Sequence, residues 1–142
     1  MTDDQNLCHV ALYGSLRRGL PAHGALDLAR DLIHAGPCTL RGALVDLGDY
    51  PGLIGGTGTV CGELYEIADD SALLRLDAFE EFRSDDVSGS LYLRQKTRLI
   101  TPDRHAWTYV YNRDFTGAPV IASGDWITHL EETNAGNQTF PA

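Results

Sequence analysis

The 142-residue sequence lacks long hydrophobic runs, and no stretch approaches the roughly 18 consecutive apolar residues that a transmembrane helix requires. Residues 1–6 are polar and acidic, without the basic start and apolar stretch of a signal peptide. We therefore expect a cytoplasmic protein without a membrane partner.

Cysteine is also scarce. Cys8, Cys38 and Cys61 are odd in number and form no CxxC pattern, which argues against a secreted disulfide framework and predicts buried free thiols in a reducing compartment. The five histidines show neither HExxH nor paired metal-ligand spacing, so no metal site is predicted. A Cys–His nucleophilic pair stays open, although no single cysteine is favoured.

Positive charge is the third shortage. Eleven Lys and Arg oppose twenty Asp and Glu, giving a formal net charge of −9 that repels phosphate backbones and anionic membranes. The sequence also contains no GxxxxGK[ST] phosphate loop, and its glycine-rich stretch does not spell GxGxxG before a helix. Neither nucleic acid nor a nucleotide is an expected partner.

The first part of the chain predicts a strand, a turn and a helix. The apolar run from Cys8 to Tyr13 ends at Gly14-Ser15, as a buried strand does when it enters a turn. Pro21 can begin a helix whose apolar face extends to Ile33, and Gly36-Pro37 ends it.

The rest of the chain alternates strand-like and helix-like segments. The predictions are strands over 38–47 and 57–67 joined by an irregular glycine-rich connection over 48–58, a helix from the cap candidates at 69–71 to Phe79, a surface loop over 83–90, and a hairpin of strands 92–100 and 105–111.

The expected fold class is α+β. Strands outnumber helices without regular βαβ alternation, so a mixed sheet or small β-barrel with helices packed against it fits better than a doubly wound fold. The length is typical of one domain, which we expect over residues 1–132. A loose polar tail is expected over residues 133–142.

Glu80 is a candidate for acid–base chemistry. On a helical wheel it falls between Leu73 and Leu76 on the inward face, whereas Glu81 aligns with Asp77. A carboxylate aimed at a core is costly unless it has a partner or lines a cavity, and desolvation would raise its pKa toward the range of a general base. The alternative is a helix-end glutamate that turns to solvent or caps a loop.

The turn Tyr13-Gly14-Ser15-Leu16 is a candidate anion site. Glycine permits a backbone geometry in which successive N–H groups point at an anion such as a substrate carboxylate. An ordinary tight turn would have the same sequence, so both interpretations stay open here.

Six short motifs, taken in chain order, resemble the γ-glutamylcyclotransferase-like family. They are Tyr13-Gly14-Ser15-Leu16 with Gly19, Tyr50-Pro51-Gly52-Leu53, Val60-Cys61-Gly62-Glu63-Leu64-Tyr65, Leu76-Asp77-Ala78-Phe79-Glu80, Leu91-Tyr92-Leu93-Arg94 and Ala106-Trp107-Thr108-Tyr109-Val110-Tyr111-Asn112. The resemblance runs from about residue 9 to residue 127. It implies a small mixed, mostly antiparallel β-barrel with flanking α-helices.

The resemblance also implies roles for individual residues. The backbone amides of Tyr13-Gly14-Ser15-Leu16 would receive a glutamyl α-carboxylate, Glu80 would move protons, and Tyr109 would line the same cavity. One residue departs from the family pattern, because Glu81 stands where many members have glycine. This departure leaves the shape of the pocket and the substrate open.

The implied activity is cleavage of a γ-glutamyl amide by the substrate's own α-amine, which releases 5-oxoproline and an amine without water, metal or cofactor. The expected partner is therefore a small-molecule γ-glutamyl substrate. The alternatives are a non-catalytic module that binds a carboxylated metabolite or peptide in the same cavity, and a purely structural interaction domain. The sequence leaves the amine leaving group and the oligomeric state open.

Overall fold

The computed structural model describes residues 7–136. Within this range the elements in chain order are β1 (His9–Leu12), α1 (Pro21–Ala25), a 3₁₀-helix (Leu28–Arg30), β2 (Leu32–Asp46), β3 (Pro51–Ile67), α2 (Ser71–Phe79), β4 (Tyr92–Arg98), β5 (His105–Tyr111) and α3 (Trp126–Gly136).

The strands form one mixed sheet in the order β2-β3-β1-β5-β4. β1 runs parallel to β5, with Val10 opposite Trp107, and the other neighbouring pairs are antiparallel. All four residues of β1 are buried, as expected for an apolar run at the centre of a sheet. The predicted α+β class with a mixed, mostly antiparallel sheet is therefore confirmed.

The predicted closure into a barrel is wrong, because the sheet is open. β2 and β4 lie at its two edges, and β4 ends at Arg98 before it reaches β2. In the described part of the chain a single bridge joins the two sides, in which the Thr39 N–H donates to the Thr101 carbonyl at 2.7 Å and the Ile100 N–H donates to the Thr39 carbonyl at 2.9 Å. A closed barrel needs a continuous ladder at this position.

The first helix is shorter than predicted. α1 ends at Ala25, and Asp27 adopts the left-handed conformation with φ 54°, which a continuing α-helix does not allow. From Leu32 the chain pairs with the end of β3, so strand pairing overrides the helical periodicity. Ile33, which the predicted helix placed on its apolar face, is 54% exposed.

Most of the predicted irregular connection over residues 48–58 is strand, because β3 begins at Pro51. The pairing of β2 with β3 shifts across Gly42, which has φ 148° and whose Cβ, if it had one, would lie 2.7 Å from the Ile54 carbonyl oxygen. Glycine thus permits an irregularity inside a long hairpin instead of ending the strand.

The later predictions agree better with the structure. α2 and the β4–β5 hairpin form close to their predicted positions. α3 extends to Gly136, four residues into the predicted tail, and residues 137–142 lie outside the described range. Cys38 is buried as predicted, but Cys61 is only partly buried and Cys8 is exposed. No helix in the described range is long and apolar enough to span a membrane.

The sheet packs on both faces, and β1 alternates between the two apolar clusters. Ala11 and Tyr13 pack into the cluster that contains Trp126 of α3. Val10 and Leu12 pack into the cluster that contains Leu76 of α2. The central strand therefore leads into the Tyr13-Gly14-Ser15-Leu16 turn beside α2, so buried elements hold both parts of the predicted site.

Candidate active site

A cavity of about 260 Å³ lies where the end of β1, the end of α2 and the strands β4 and β5 meet. It is lined by Ala11, Leu12, Tyr13, Gly14, Ser15, Leu16, Asp49, Tyr50, Pro51, Phe79, Glu80, Glu81, Leu91, Tyr92 and Tyr109. The structure thus brings together all six predicted site residues: Tyr13, Gly14, Ser15, Leu16, Glu80 and Tyr109.

The turn offers unpaired backbone donors to this cavity. The Gly14 carbonyl accepts a hydrogen bond from the Arg17 N–H at 3.0 Å, whereas the N–H groups of Gly14, Ser15 and Leu16 donate none within residues 7–136. Gly14 does not have a left-handed φ. Glycine is required there for space, because a Cβ would lie 2.8 Å from Cγ of Pro51 in the cavity wall.

A charged network fixes the far end of the turn. The Arg17 guanidinium contacts Glu63 at 3.1 Å and Asp125 at 2.7 Å. Glu63 also accepts hydrogen bonds from the Arg18 N–H at 2.8 Å and the Tyr65 hydroxyl at 2.7 Å. Burial alone would raise the pKa of Glu63, but these donors hold it below its usual value. The network anchors the turn to β3 and to the start of α3.

The side chain of Tyr13 anchors the near end of the turn. Its hydroxyl donates to the Tyr109 carbonyl at 2.7 Å and accepts from the Leu53 N–H at 3.1 Å. The Leu16 carbonyl accepts a hydrogen bond from Nδ1 of the buried His23 at 2.9 Å. The turn is thus held on three sides before any ligand binds, which preorganises its free N–H groups.

Glu80 lies at the C-terminal end of α2, where its N–H still donates to the Leu76 carbonyl at 2.9 Å. The side chain lines the cavity and makes no hydrogen bond within the described residues, so it neither caps a loop nor pairs with a cation. Burial without a donor disfavours the ionised carboxylate and raises the pKa of Glu80 to about 8.

The tyrosine hydroxyls around Glu80 explain why it lacks a donor. Besides Tyr13, Tyr92 donates to the Pro51 carbonyl at 2.5 Å, and Tyr109 donates to Asp77 at 2.6 Å. Burial raises the pKa of Tyr92 and Tyr109 well above the usual range, and the Glu80 charge adds to that effect. The hydroxyls of Tyr13, Tyr92 and Tyr109 thus donate to other acceptors, and none of them donates to the buried carboxyl of Glu80.

Asp77 holds the Tyr109 hydroxyl from the helix that also carries Glu80. Arg94 of β4 pairs with Asp77 through two hydrogen bonds of 2.8 and 3.2 Å, and its guanidinium carbon lies 4.4 Å from the centre of the Trp107 ring. The sequence predicts no role for Asp77 or Arg94, although both lie within the resembling motifs. These contacts fix the position of α2 relative to β4 and β5.

Glu81 terminates α2. It adopts φ 54°, its N–H donates to the Ala78 carbonyl at 3.2 Å, and the Phe82 N–H donates to the Asp77 carbonyl at 2.9 Å. These two bonds form a Schellman motif with Glu81 in the left-handed position that glycine usually occupies. Its exposed side chain lines the cavity. Because a glutamate holds a left-handed position where many family members have glycine, the departure from the family pattern costs conformational energy in the backbone at this residue.

Among the described residues, neither histidine nor cysteine lines the cavity, which gives no support to a Cys–His pair. Within residues 7–136, no three His, Cys, Asp or Glu side chains lie together as a metal site would require. The cavity thus combines one carboxyl with a raised pKa and a turn whose backbone N–H groups have no partner within residues 7–136.

Comparison with known proteins identifies the family. Residues 10–128 match the family model described as gamma-glutamyl cyclotransferase, AIG2-like. The chain belongs to this family. The solution NMR structure of the family protein YtfP from Escherichia coli superposes with a TM-score of 0.61 at 36% sequence identity and covers 83% of this chain and 95% of that one.

Other relatives match this chain over alignments of different length. YtfP from Escherichia coli K12 is 44% identical over 84 residues, which is 59% of this chain and 66% of the relative, just under two thirds of its length. A Vibrio cholerae relative is 35% identical over 125 residues, covering 85% and 96% of the two chains. The gamma-L-glutamyl-butirosin B gamma-glutamyl cyclotransferase of Niallia circulans is 36% identical over 109 residues, covering 75% and 68%.

Proposed function

We propose that this chain is a cyclotransferase that cleaves a γ-glutamyl amide and releases 5-oxoproline and a free amine. The observation that carries the proposal is one cavity whose lining contains both Glu80, without a hydrogen-bond partner for its carboxyl, and Gly14, Ser15 and Leu16, whose N–H groups have no partner within residues 7–136. Membership of the γ-glutamyl cyclotransferase family supports it.

The free backbone N–H groups suit the α-carboxylate of the glutamyl unit. Three donors that are already oriented bind an anion without a basic side chain, and the committed contacts of Tyr13 and Arg17 hold them in place. With the carboxylate fixed at the turn, the glutamyl side chain extends toward Glu80. The amide nitrogen and its substituent then point to the open side of the cavity.

The bond that forms joins the substrate's α-nitrogen to its own γ-carbonyl carbon and closes a five-membered lactam. The bond that breaks joins that carbon to the leaving nitrogen. Binding holds the glutamyl unit of the substrate in its reactive rotamer. Well-oriented intramolecular reactions of this kind have effective molarities on the order of 10⁵ M or more. Neither water nor a second substrate enters the balanced reaction.

Glu80 would supply the remaining chemistry by relaying two protons, one after the other, from the α-nitrogen to the leaving nitrogen. Its carboxylate accepts the first proton from the α-ammonium, which frees the nitrogen for attack, and the resulting carboxylic acid donates that proton to the departing nitrogen. The regenerated carboxylate then takes the second proton from the ring nitrogen, which leaves the neutral lactam, and passes it to the released amine, which becomes an ammonium. A pKa near 8 suits both steps, because neither protonation state of the carboxyl is strongly disfavoured near neutral pH.

The test is a panel of γ-glutamyl amines and dipeptides incubated with the purified protein, with 5-oxoproline measured by mass spectrometry. We expect release from at least one compound, with unchanged yield after treatment with a chelator. Folded protein that binds panel members but releases no 5-oxoproline would reject the enzyme in favour of the binding module. Absence of both binding and release would favour a structural domain.

A further inference from the structure

The mouth of the cavity is acidic. Of the residues within 7–136 that line the cavity, only Asp49, Phe79 and Glu81 are exposed, and these three define the cavity mouth. Neither carboxylate of the mouth forms an ion pair or a side-chain hydrogen bond with any residue in the described range. Both therefore stay available to a ligand that enters.

No positive side chain balances these carboxylates from within the cavity. The lining contains no lysine, arginine or histidine among the described residues. Arg17, which directly follows the turn, is already paired with Glu63 and Asp125. The formal net charge of −9 adds to the negative potential at the opening.

This charge distribution discriminates between leaving groups. If the α-carboxylate occupies the backbone donors of the turn, the leaving amine projects past Glu80 toward the mouth. A second carboxylate there, as in an amino-acid or peptide leaving group, would face Asp49 and Glu81 with no basic partner. A second positive charge would be attracted by both.

Building on the proposed function, we propose that the substrates are γ-glutamyl amides of cationic amines, meaning amines that carry at least one further positive charge. Asp49 and Glu81 then determine specificity through contact with the leaving group, whereas Glu80 acts on the reacting atoms. This inference gives a role to Glu81, the residue that departs from the family pattern.

The test compares three γ-glutamyl amides of equal chain length that differ in charge: those of 1,4-diaminobutane, n-butylamine and 4-aminobutanoate. Binding is measured calorimetrically on Glu80→Gln, which should not consume the ligands. We expect the cationic amide to bind most tightly and the anionic amide most weakly, with each mouth carboxylate contributing about threefold to the cation-to-neutral affinity ratio. The ratio should fall in high salt, because salt screens exposed charges.

The matched variants locate the effect. The cation-to-neutral ratio should fall toward one in the double variant Asp49→Asn/Glu81→Gln. Asp70→Asn makes the same charge change at the opposite end of α2, about 15 Å from Glu80 along the helix, and should leave the ratio unchanged. The Asp70 side chain makes no capping hydrogen bond, so this substitution removes none.

Two results separate this inference from the proposed reaction. Equal affinities for the three amides, or tighter binding of the anionic one, would overturn the charge preference even if the wild-type protein forms 5-oxoproline from all three. A charge-dependent affinity series that collapses in the double variant would uphold the preference. In that case, failure of the wild-type protein to release 5-oxoproline from any amide would reject only the reaction.

Discussion

Glu80→Gln gives a prediction in which stability and turnover change in opposite directions. The pKa of Glu80 is about 8 in the folded protein, against an ordinary value of 4.5. Between these two pH values the folded state keeps a proton that the unfolded state has lost, so the stabilising contribution of the carboxyl is fully present below about pH 4.5. It is lost as the pH rises toward 8.

The structure sets the size of this loss. One pKa unit corresponds to about 1.4 kcal/mol, so the 2.5 units between 4.5 and pH 7 correspond to at most about 3.5 kcal/mol. The figure is an upper bound because the side chain is partly open to the cavity. Glutamine carries no titrating proton, so the free energy of unfolding of Glu80→Gln should gain on that of the wild type as the pH rises.

The assay is urea unfolding followed by fluorescence of Trp107 and Trp126 at pH 5, 6, 7 and 8, together with turnover of the best substrate. We expect the stability difference between Glu80→Gln and wild type to grow by up to about 3.5 kcal/mol across this range. Turnover should drop by about 10² to 10⁴ because the proton acceptor is gone. The kcat/KM of the wild type should rise with pH up to about 8.

Two results would refute this reasoning. In the first, Glu80→Gln keeps kcat within about threefold of the wild type, which means that the proton does not pass through this carboxyl. Alternatively, its stability relative to the wild type is constant from pH 5 to pH 8, in which case Glu80 is not desolvated as the structure implies. Glu81→Gln is the neighbouring control for stability, and as an exposed substitution it should change the free energy of unfolding by less than about 0.5 kcal/mol.

Three further substitutions probe the rest of the site. Gly14→Val should lower kcat/KM by about 10²-fold, because the new side chain meets Pro51 and displaces the turn. On the wild type, a substrate with an amidated α-carboxylate should lose activity to a similar extent. Full activity in either experiment would show that the turn does not bind the α-carboxylate. Tyr109→Phe should cost about 1 to 3 kcal/mol in urea unfolding, because Asp77 loses a 2.6 Å hydrogen bond; an unchanged unfolding midpoint would contradict this. Glu81→Gly should raise stability by about 0.5 to 1 kcal/mol, because glycine relieves the left-handed φ; a lower melting temperature would show that its side chain contributes more than its backbone costs.

The local sequence predicts an element correctly where the periodicity of its apolar residues favours the same structure as its tertiary contacts and strand pairing. α2 and the β4–β5 hairpin follow this rule. The helix predicted beyond Ala25 fails because the residues from Leu32 onward gain more from pairing with β3 than from a helical face. The prediction of a closed barrel is wrong for a related reason. Closure depends on contact between β2 and β4, and no local sequence pattern predicts where β4 ends.

In the candidate site, too, periodicity predicts the orientation of one residue and not that of the next. The helical wheel placed Glu80 correctly because α2 stays regular through Phe79 and Glu80 still has right-handed helical angles. The wheel fails one residue later, since Glu81 turns into the left-handed region and no longer aligns with Asp77. Periodicity therefore locates a side chain only while the backbone is periodic.

The environment of Glu80 could not be read from periodicity at all. Its raised pKa depends on where other groups send their protons: Tyr13 to the Tyr109 carbonyl, Tyr92 to the Pro51 carbonyl and Tyr109 to Asp77. These partners lie 32 to 96 residues apart in the chain. The carboxyl of Glu80 receives no hydrogen bond from these three tyrosines because their hydroxyls donate to other acceptors, and that property belongs to the assembled network rather than to any segment of the sequence.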